Sequence, residues 1–530
     1  MYVLSGVGVI THVDGVVNYA LARSLVDHGA FWLDPNQPAL QFNPVPVVGA
    51  DGRTYAPYNL GLPLLIAPLY AVGAVLSKVL PHFAEFTAAD FLVSMTNALV
   101  TAATAWVVVS FVLEFGFGRR AALLAGAGFA FGSMAWMYST TLFTEPATGL
   151  CVLSSALLLV RSRRSPRPAV LLLAAGVAAG GALFMRITGA LFVPGLALYL
   201  LLIHRQAGWR LAWLLAAFGV GVAVLLAATG WYNFVRFGSP LETGYTVGGQ
   251  GHNELASGVT QTAGRLDEIV YALYAMLLSP GRGVFLYAPV MLLGVLGLPT
   301  LFRRWPLEAA LLIVLSGSLV VGESVVPFDY WWGGWSYGPR YLVPIIGFGA
   351  VSAGAWFASV SRGSRVGWLA GAALVVIIVM QIPSVLTNIY TPYYRAQVER
   401  GTATDRAYLI DSWQGATYVG GWRELARLTE RTVQGQPVPR ARMADEPNVA
   451  VALDQAEVLN TFQPWWIRLV QSGRVSGAAE VGVLALVGLV VAGALLTLRV
   501  VLGPAERDGQ AHALTPVPTP PQLASRRGSG

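Results

Sequence analysis

Apolar stretches long enough to cross a membrane recur along most of this chain, and they constrain its fold more than any other feature. Crossing a hydrocarbon core of about 30 Å takes roughly 20 helical residues. Runs of this kind lie at 90–113, 121–143, 146–160, 169–185, 188–203, 211–231, 284–302, 308–326, 341–360, 367–386 and 480–502. Backbone polar groups inside a bilayer must be satisfied within the span, so each run predicts a helix. With 55% apolar and only 12% charged residues, 530 residues cannot coat themselves as soluble domains. The expected fold is an all-α polytopic bundle of about 11 spans, or 12 if a truncated first span is counted. One cysteine, Cys151, excludes disulfide scaffolds and thiolate metal sites. The net charge of +7 does not argue for nucleic acid, because basic residues beside spans set membrane orientation instead.

The short loop RSRRSPR, residues 161–167, is the most basic and is assigned to the cytoplasm by the positive-inside rule. Counting outward from it, Arg119 and Arg120, Arg205 and Arg210, Arg303 and Arg304, Arg362 and Arg365, and the tail from Arg499 fall on the same side. A further apolar run, 60–80, is read as a juxtamembrane or re-entrant element that does not cross. It contains Pro63 and Pro68, and residues 1–59 carry Arg23 and Arg53 against Asp14, Asp27, Asp34 and Asp51. Residues 1–89, 232–283, 323–340 and 387–479 are then extracytoplasmic. The opening MYVLSGVGVI is too short to cross and lacks the basic flank of a signal peptide, so the chain is expected to begin late in a first span. The organisation expected is a transmembrane core over 1–386 whose first loop is 1–89, an extracytoplasmic loop or small domain over 387–479, a last span at 480–502, and a disordered cytoplasmic tail over 503–530.

Four ionisable residues stand at the outer ends of apolar runs, where burial is expensive and function is the default reading. Asp14 lies in GVGVITHVDGVVNYALARSL, Glu145 in TTLFTEPATGL, Arg186 in ALFMRITGAL and Arg340 in YWWGGWSYGPRYL. Each also has a structural reading: the acids as helix-start caps, the arginines as side chains reaching lipid headgroups. Two acids and two arginines on one face suit a defined chemistry. A carboxylate aligned with an incoming hydroxyl acts as general base while guanidinium groups neutralise a departing phosphate. These are the requirements of sugar transfer from a lipid phosphate. A flippase or transporter, or a non-catalytic assembly partner, is the alternative, since charges within a helical bundle serve those roles too.

The order of these motifs resembles the GT-C superfamily of polyprenyl-phosphate-sugar-dependent glycosyltransferases, which includes protein mannosyltransferases and aminoarabinose transferases of lipid A. An acid in the first loop precedes the juxtamembrane segment GRTYAPYNLGLPLLIAPLY, then come cytoplasmic arginines, the acid-proline pair Glu145-Pro146, and Arg186 ahead of Thr188-Gly189. WYNFVRFGSPLETGY and YWWGGWSYGPRYLVP are similar to segments of a bacterial branch of the superfamily, and the resemblance covers residues 1–390. It implies a transferase of inverting stereochemistry in a bacterial plasma (inner) membrane, working on the extracytoplasmic face. The donor would be a polyprenyl-phosphate-linked sugar, the acceptor a lipid, glycan or protein, with membrane lipids as surroundings and no nucleic acid. It implies Asp14 and Glu145 as catalytic residues and Arg186 and Arg340 as donor-phosphate ligands. Tyr58, Arg236, Tyr245, Trp331 and Trp332 are weaker substrate-binding candidates, an interfacial aromatic belt being the commoner reading of the tryptophans. No cofactor is fixed; a divalent metal, if one serves, is expected on Asp14 and Glu145. Many members carry an Asp-Glu pair where this chain has Asp14-Gly15, which removes a second carboxylate there.

The topology predicts that cysteines placed at positions 51 and 430 are both labelled by an impermeant thiol reagent applied from outside. Protection of either position in intact cells would overturn the assignment.

Overall fold

The computed structural model describes residues 1–10, 12–34, 40, 46–80, 87–247, 266–325, 331–361, 364–401, 405–434 and 462–471, with isolated positions from 481 to 493. Most of the expected span 480–502, the tail 503–530 and parts of the loops at 248–265, 326–330 and 435–461 lie outside the described residues.

Seven described helices are long and apolar enough to cross a membrane: Ala88–Glu114, Pro168–Met185, Ile187–His204, Arg210–Phe237, Pro306–Val325, Arg340–Ser359 and Arg365–Leu386. The run 146–160 lies within Glu145–Ser162. The run 121–143 resolves into Arg119–Phe131 and Ala135–Tyr138, and 284–302 into Val284–Tyr287 and Val290–Arg304. Gly61–Leu76 is a 16-residue helix containing Pro68. At 1.5 Å per residue it measures about 24 Å, short of a bilayer core. A two-residue antiparallel hairpin, Val47–Val48 with Thr54–Tyr55, is the only sheet among the described residues. The all-α polytopic fold expected from the sequence is the one observed.

Local sequence sets the helix ends. Thr87 and Asp90 form a reciprocal capping box at the start of the first long span. Pro146 and Pro168 occupy first-turn positions, where the missing N–H costs nothing. Gly238, at φ 75°, closes Arg210–Phe237 in a left-handed cap.

Close helix contact comes from small residues, because lipid offers no hydrophobic drive to press apolar helices together. A β-carbon at Gly176 would stand 2.0 Å from the Phe218 carbonyl oxygen, so helices Pro168–Met185 and Arg210–Phe237 meet backbone to backbone there.

Ion pairs tie the bundle at the end that carries the loop 161–167. Arg161 meets Glu114 at 3.0 Å, and Arg163 pairs with the buried Glu308, which also accepts from the Tyr199 hydroxyl at 2.8 Å. At the other end the described parts of 387–471 pack on the bundle. The indole N–H groups of Trp465 and Trp466 donate to the carbonyls of Val3 and Leu4 at 2.9 and 2.8 Å. Gln463 N–H donates to the Leu386 carbonyl at 2.9 Å.

Filling the Gly176 contact should separate two spans: Gly176→Leu is expected to cost about 1–3 kcal/mol and lower the Tm in detergent. Gly317, where a β-carbon would meet nothing within 4 Å, is the control, and Gly317→Leu should leave the Tm unchanged or slightly higher.

Candidate active site

The end of the bundle opposite the loop 161–167 gathers the four charges singled out by sequence. Asp14 lies in the first turn of the helix Val13–His28, which follows extended His12. Glu145 opens the helix Glu145–Ser162. Arg186 is the extended residue between Pro168–Met185 and the 3-10 turn Ile187–Phe192, and Arg340 begins the 3-10 turn Arg340–Ile345 that leads into Ile346–Ser359. Charges at such breaks escape helical side-chain register and turn across the bundle end.

They form one continuous chain. Tyr58 donates its hydroxyl to Asp14 Oδ1 at 2.6 Å, and Arg340 Nη1 donates to Asp14 Oδ2 at 3.1 Å. Arg340 Nε faces Glu145 Oε1 at 3.6 Å, and Arg186 Nη1 donates to the same oxygen at 2.9 Å. Arg186 Nη2 then lies 3.6 Å from Glu323 Oε1, while its Nε donates to Thr188 Oγ1 at 2.9 Å. The Tyr341 ring lies under both guanidinium groups, 4.0 Å from the Arg186 carbon and 4.9 Å from that of Arg340. With side-chain exposures of 17% and 15%, Arg186 and Arg340 turn to carboxylates and not to headgroups. Helix capping does not account for Asp14 or Glu145 either, since neither helix has a side-chain cap bond and both carboxylates engage arginine.

Burial alone would raise the Asp14 carboxyl, but Arg340 and the Tyr58 hydroxyl outweigh it and hold it below its ordinary value. Burial, then the Asp14 charge, pushes the Tyr58 phenol far up, so it remains a donor. His12 is pushed down to about 4, chiefly by burial, and is neutral. Its Nε2 accepts from the Leu142 N–H at 3.2 Å, and its ring lies 4.1 Å from Phe143. This histidine fills the place beside Asp14: a β-carbon at Gly15 would stand 2.7 Å from His12 Nε2. A side chain at position 15 therefore requires His12 to move.

Tyr245 stands edge-on to Tyr58, ring centroids 6.3 Å apart, at the rim of the cluster. Arg236 is elsewhere: fully buried, it donates to the carbonyls of Ala56 and Tyr58 at 2.5 and 3.2 Å and to Asn233 Oδ1 at 2.7 Å. It supports the backbone that carries Tyr58. Trp331 and Trp332 are buried as well, Trp331 against Tyr271 and Trp332 under the Arg282 guanidinium. Neither belongs to the charge chain.

Sequence reading passed over three members of this neighbourhood. His12 adjoins Asp14 in sequence. Glu323 is a lone acid inside an apolar run, a signal that was available. Arg282 is buried, pairs with no carboxylate among the described residues, and donates to the carbonyls of Gly334, Ser336 and Gly338 at 2.7–2.8 Å and to the Tyr393 hydroxyl at 2.6 Å. It ties down the loop immediately before Arg340.

Among the described residues no three His, Cys, Asp or Glu side chains converge to hold a cation; Asp14 has both oxygens bonded to Tyr58 and Arg340, and Glu145 shares Oε1 between two guanidinium groups while its Oε2 is buried without a hydrogen bond.

No protein family and no curated protein matches the sequence. Solved structures do. ArnT from Cupriavidus metallidurans bound to undecaprenyl phosphate superposes with a TM-score of 0.50 at 16% identity, over 91% of this chain and 77% of ArnT. The Archaeoglobus fulgidus oligosaccharyltransferase aligns with a TM-score of 0.41 at 11% identity, over 77% of this chain and 56% of its own. The likeness to ArnT is one of fold.

Because the folded Asp14 carboxyl sits below its unfolded value, its stabilisation is complete above the ordinary carboxylate range and is lost as pH falls through the folded value. Wild type should therefore exceed Asp14→Asn in Tm at pH 7, and the gap should close only below about pH 4. A gap that is absent at pH 7, or that disappears already near pH 6, would refute the Asp14–Arg340 pairing.

Proposed function

We propose that this protein is a membrane glycosyltransferase that moves a sugar from a polyprenyl-phosphate donor to a hydroxyl acceptor at the extracytoplasmic face. The observation that carries the reading is the juxtaposition, at one end of the bundle, of an ionised carboxylate and two guanidinium groups that retain N–H capacity. Arg340 Nε is buried and makes no hydrogen bond. A phosphate oxygen is a stronger partner for such a group than a carboxylate at 3.6 Å. ArnT, whose fold this chain shares, has been solved with undecaprenyl phosphate bound, which supports a lipid phosphate as the donor class.

In this reading the acceptor hydroxyl attacks the anomeric carbon from the face opposite the phosphate, giving inversion. The bond from anomeric carbon to phosphate oxygen breaks, the acceptor proton passes to Asp14, and Arg186 and Arg340 neutralise the released polyprenyl phosphate. A carboxylate held below its ordinary pKa is a weak base toward an intact alcohol. Asp14 therefore orients the hydroxyl and receives its proton late, once the sugar has developed oxocarbenium character and acidified it. Tyr58 keeps Asp14 in register by its 2.6 Å hydrogen bond.

Transfer of labelled sugar from polyprenyl phosphate to an acceptor extract tests the activity. Asp14→Asn is expected to lower turnover by about 10²-fold or more with donor affinity nearly intact. Arg186→Ala should instead weaken donor binding, with lysine rescuing it only in part, since a point charge does not replace a planar fork. Loss of donor binding in Asp14→Asn with Arg186→Ala silent would overturn this division of roles.

A further inference from the structure

Glu323 is the member of the charge chain whose position is hardest to explain by stability. It lies near the end of the apolar helix Pro306–Val325 and is 1% exposed. Its Oε1 is buried and receives no hydrogen bond among the described residues; the nearest cation is Arg186 Nη2 at 3.6 Å. That guanidinium gives its short contact, 2.9 Å, to Glu145 instead. An ionised carboxylate oxygen in such a place is costly, whereas a protonated one carries its own donor.

Charge counting sharpens the point. Asp14, Glu145 and Glu323 face only Arg186 and Arg340, three negative groups against two positive. A phosphate entering this cluster adds at least one more negative charge to a site already at −1 by that count. Burial makes an uncompensated charge of this kind expensive, and no further cation pairs with these acids among the described residues. The groups facing Glu323 are Arg186 and Thr188 from the turn beside Ile187–Phe192, Glu145, and Arg340 from the turn Arg340–Ile345. Of the other helices packed on Pro306–Val325, Leu266–Leu278 carries Asp267 and Glu268 in its first turn, Val290–Arg304 has its arginines in the last, Val193–His204 ends in His204, and Ile346–Ser359 has none.

We propose that Glu323 takes up a proton from water when the donor phosphate binds, so that an O–H forms on its carboxylate and donor binding is linked to pH. Protonation releases Arg186 from one of its two carboxylates and frees that edge of the guanidinium for a phosphate oxygen. Both glutamates leave one buried oxygen without a hydrogen bond among the described residues, but Glu145 meets two guanidinium groups, one of them at 2.9 Å, whereas Glu323 meets one at 3.6 Å, so the proton is assigned to Glu323. The inference rests on the donor-phosphate reading above and adds to it a residue that sets donor affinity without touching the sugar.

Isothermal titration with undecaprenyl methyl phosphate, a phosphodiester with no ionisation near neutral pH, in buffers of different ionisation heat counts the protons exchanged. Wild type is expected to take up close to one proton per probe at about pH 7, with Kd weakening by up to ~10-fold per pH unit above that. Glu323→Gln, similar in shape and unable to titrate, should take up none and bind with a pH-independent Kd. Equal proton uptake in both proteins, or none in wild type, overturns the proposal while leaving the donor class standing. Failure of the wild type to bind the probe at any pH overturns the donor class itself, and the proposal with it. Should Glu323→Gln not fold, the wild-type proton count alone decides.

Discussion

A single carboxylate oxygen, Glu145 Oε1, holds the site together. It lies between Arg186 and Arg340, and its side chain is 1% exposed. A buried charge of this kind is tolerable only with its partners in place, and removing one partner from such a pair costs about 3–5 kcal/mol. The two arginines come from turns more than 150 residues apart, so their shared partner brings the helix starts Glu145, Ile187 and Arg340 to one level. From there Arg340 reaches Asp14 and Arg186 reaches Glu323. Supporting groups act one layer out: Arg282 binds the carbonyls ahead of Arg340, and Arg236 binds those beside Tyr58. Both are buried arginines that donate chiefly to peptide oxygens, with neutral side-chain oxygens of Asn233, Ser336 and Tyr393 beside them.

The opposite end of the bundle uses the same residue types for a different purpose. Glu308 and Glu114 accept from arginines of the loop 161–167, where side-chain exposures of 36–54% let water screen the arginine charge. Those pairs close a loop and present no cluster of carboxylates and cations to a ligand. Identical chemistry reads as structure at one end and as a candidate site at the other because of burial and multiplicity, not residue type.

Much of this was legible in the chain itself. Hydropathy placed the long helices, and Asp14, Glu145, Arg186 and Arg340 stood out because each is an isolated charge at the edge of an apolar run. Glu323 escaped notice because it lies inside a run, where averaging hides one acid among valines and serines. Arg236 drew attention as a loop arginine, yet the structure turns it inward to main-chain carbonyls, a choice no local pattern encodes. The tryptophans of YWWGGW were read from composition alone; which ring faces a guanidinium and which a tyrosine depends on a loop folded by Arg282, 49 residues before Trp331. The bridging of Asp14 and Arg340 across 326 positions is tertiary information, and only the requirement that buried charges be paired made it foreseeable.

The two tryptophan indoles at 465 and 466 carry a consequence for biosynthesis. They hydrogen-bond the carbonyls of Val3 and Leu4, just ahead of the helix that bears Asp14. During synthesis at about 5–20 residues per second, the segment carrying Val3 and Leu4 waits tens of seconds for these partners to be made. Until Arg340 is made Asp14 lacks its arginine, and until Trp465 and Trp466 are made the segment ahead of its helix lacks these bonds. The end of the bundle that carries Asp14 is therefore completed only once Trp465 and Trp466 have been made.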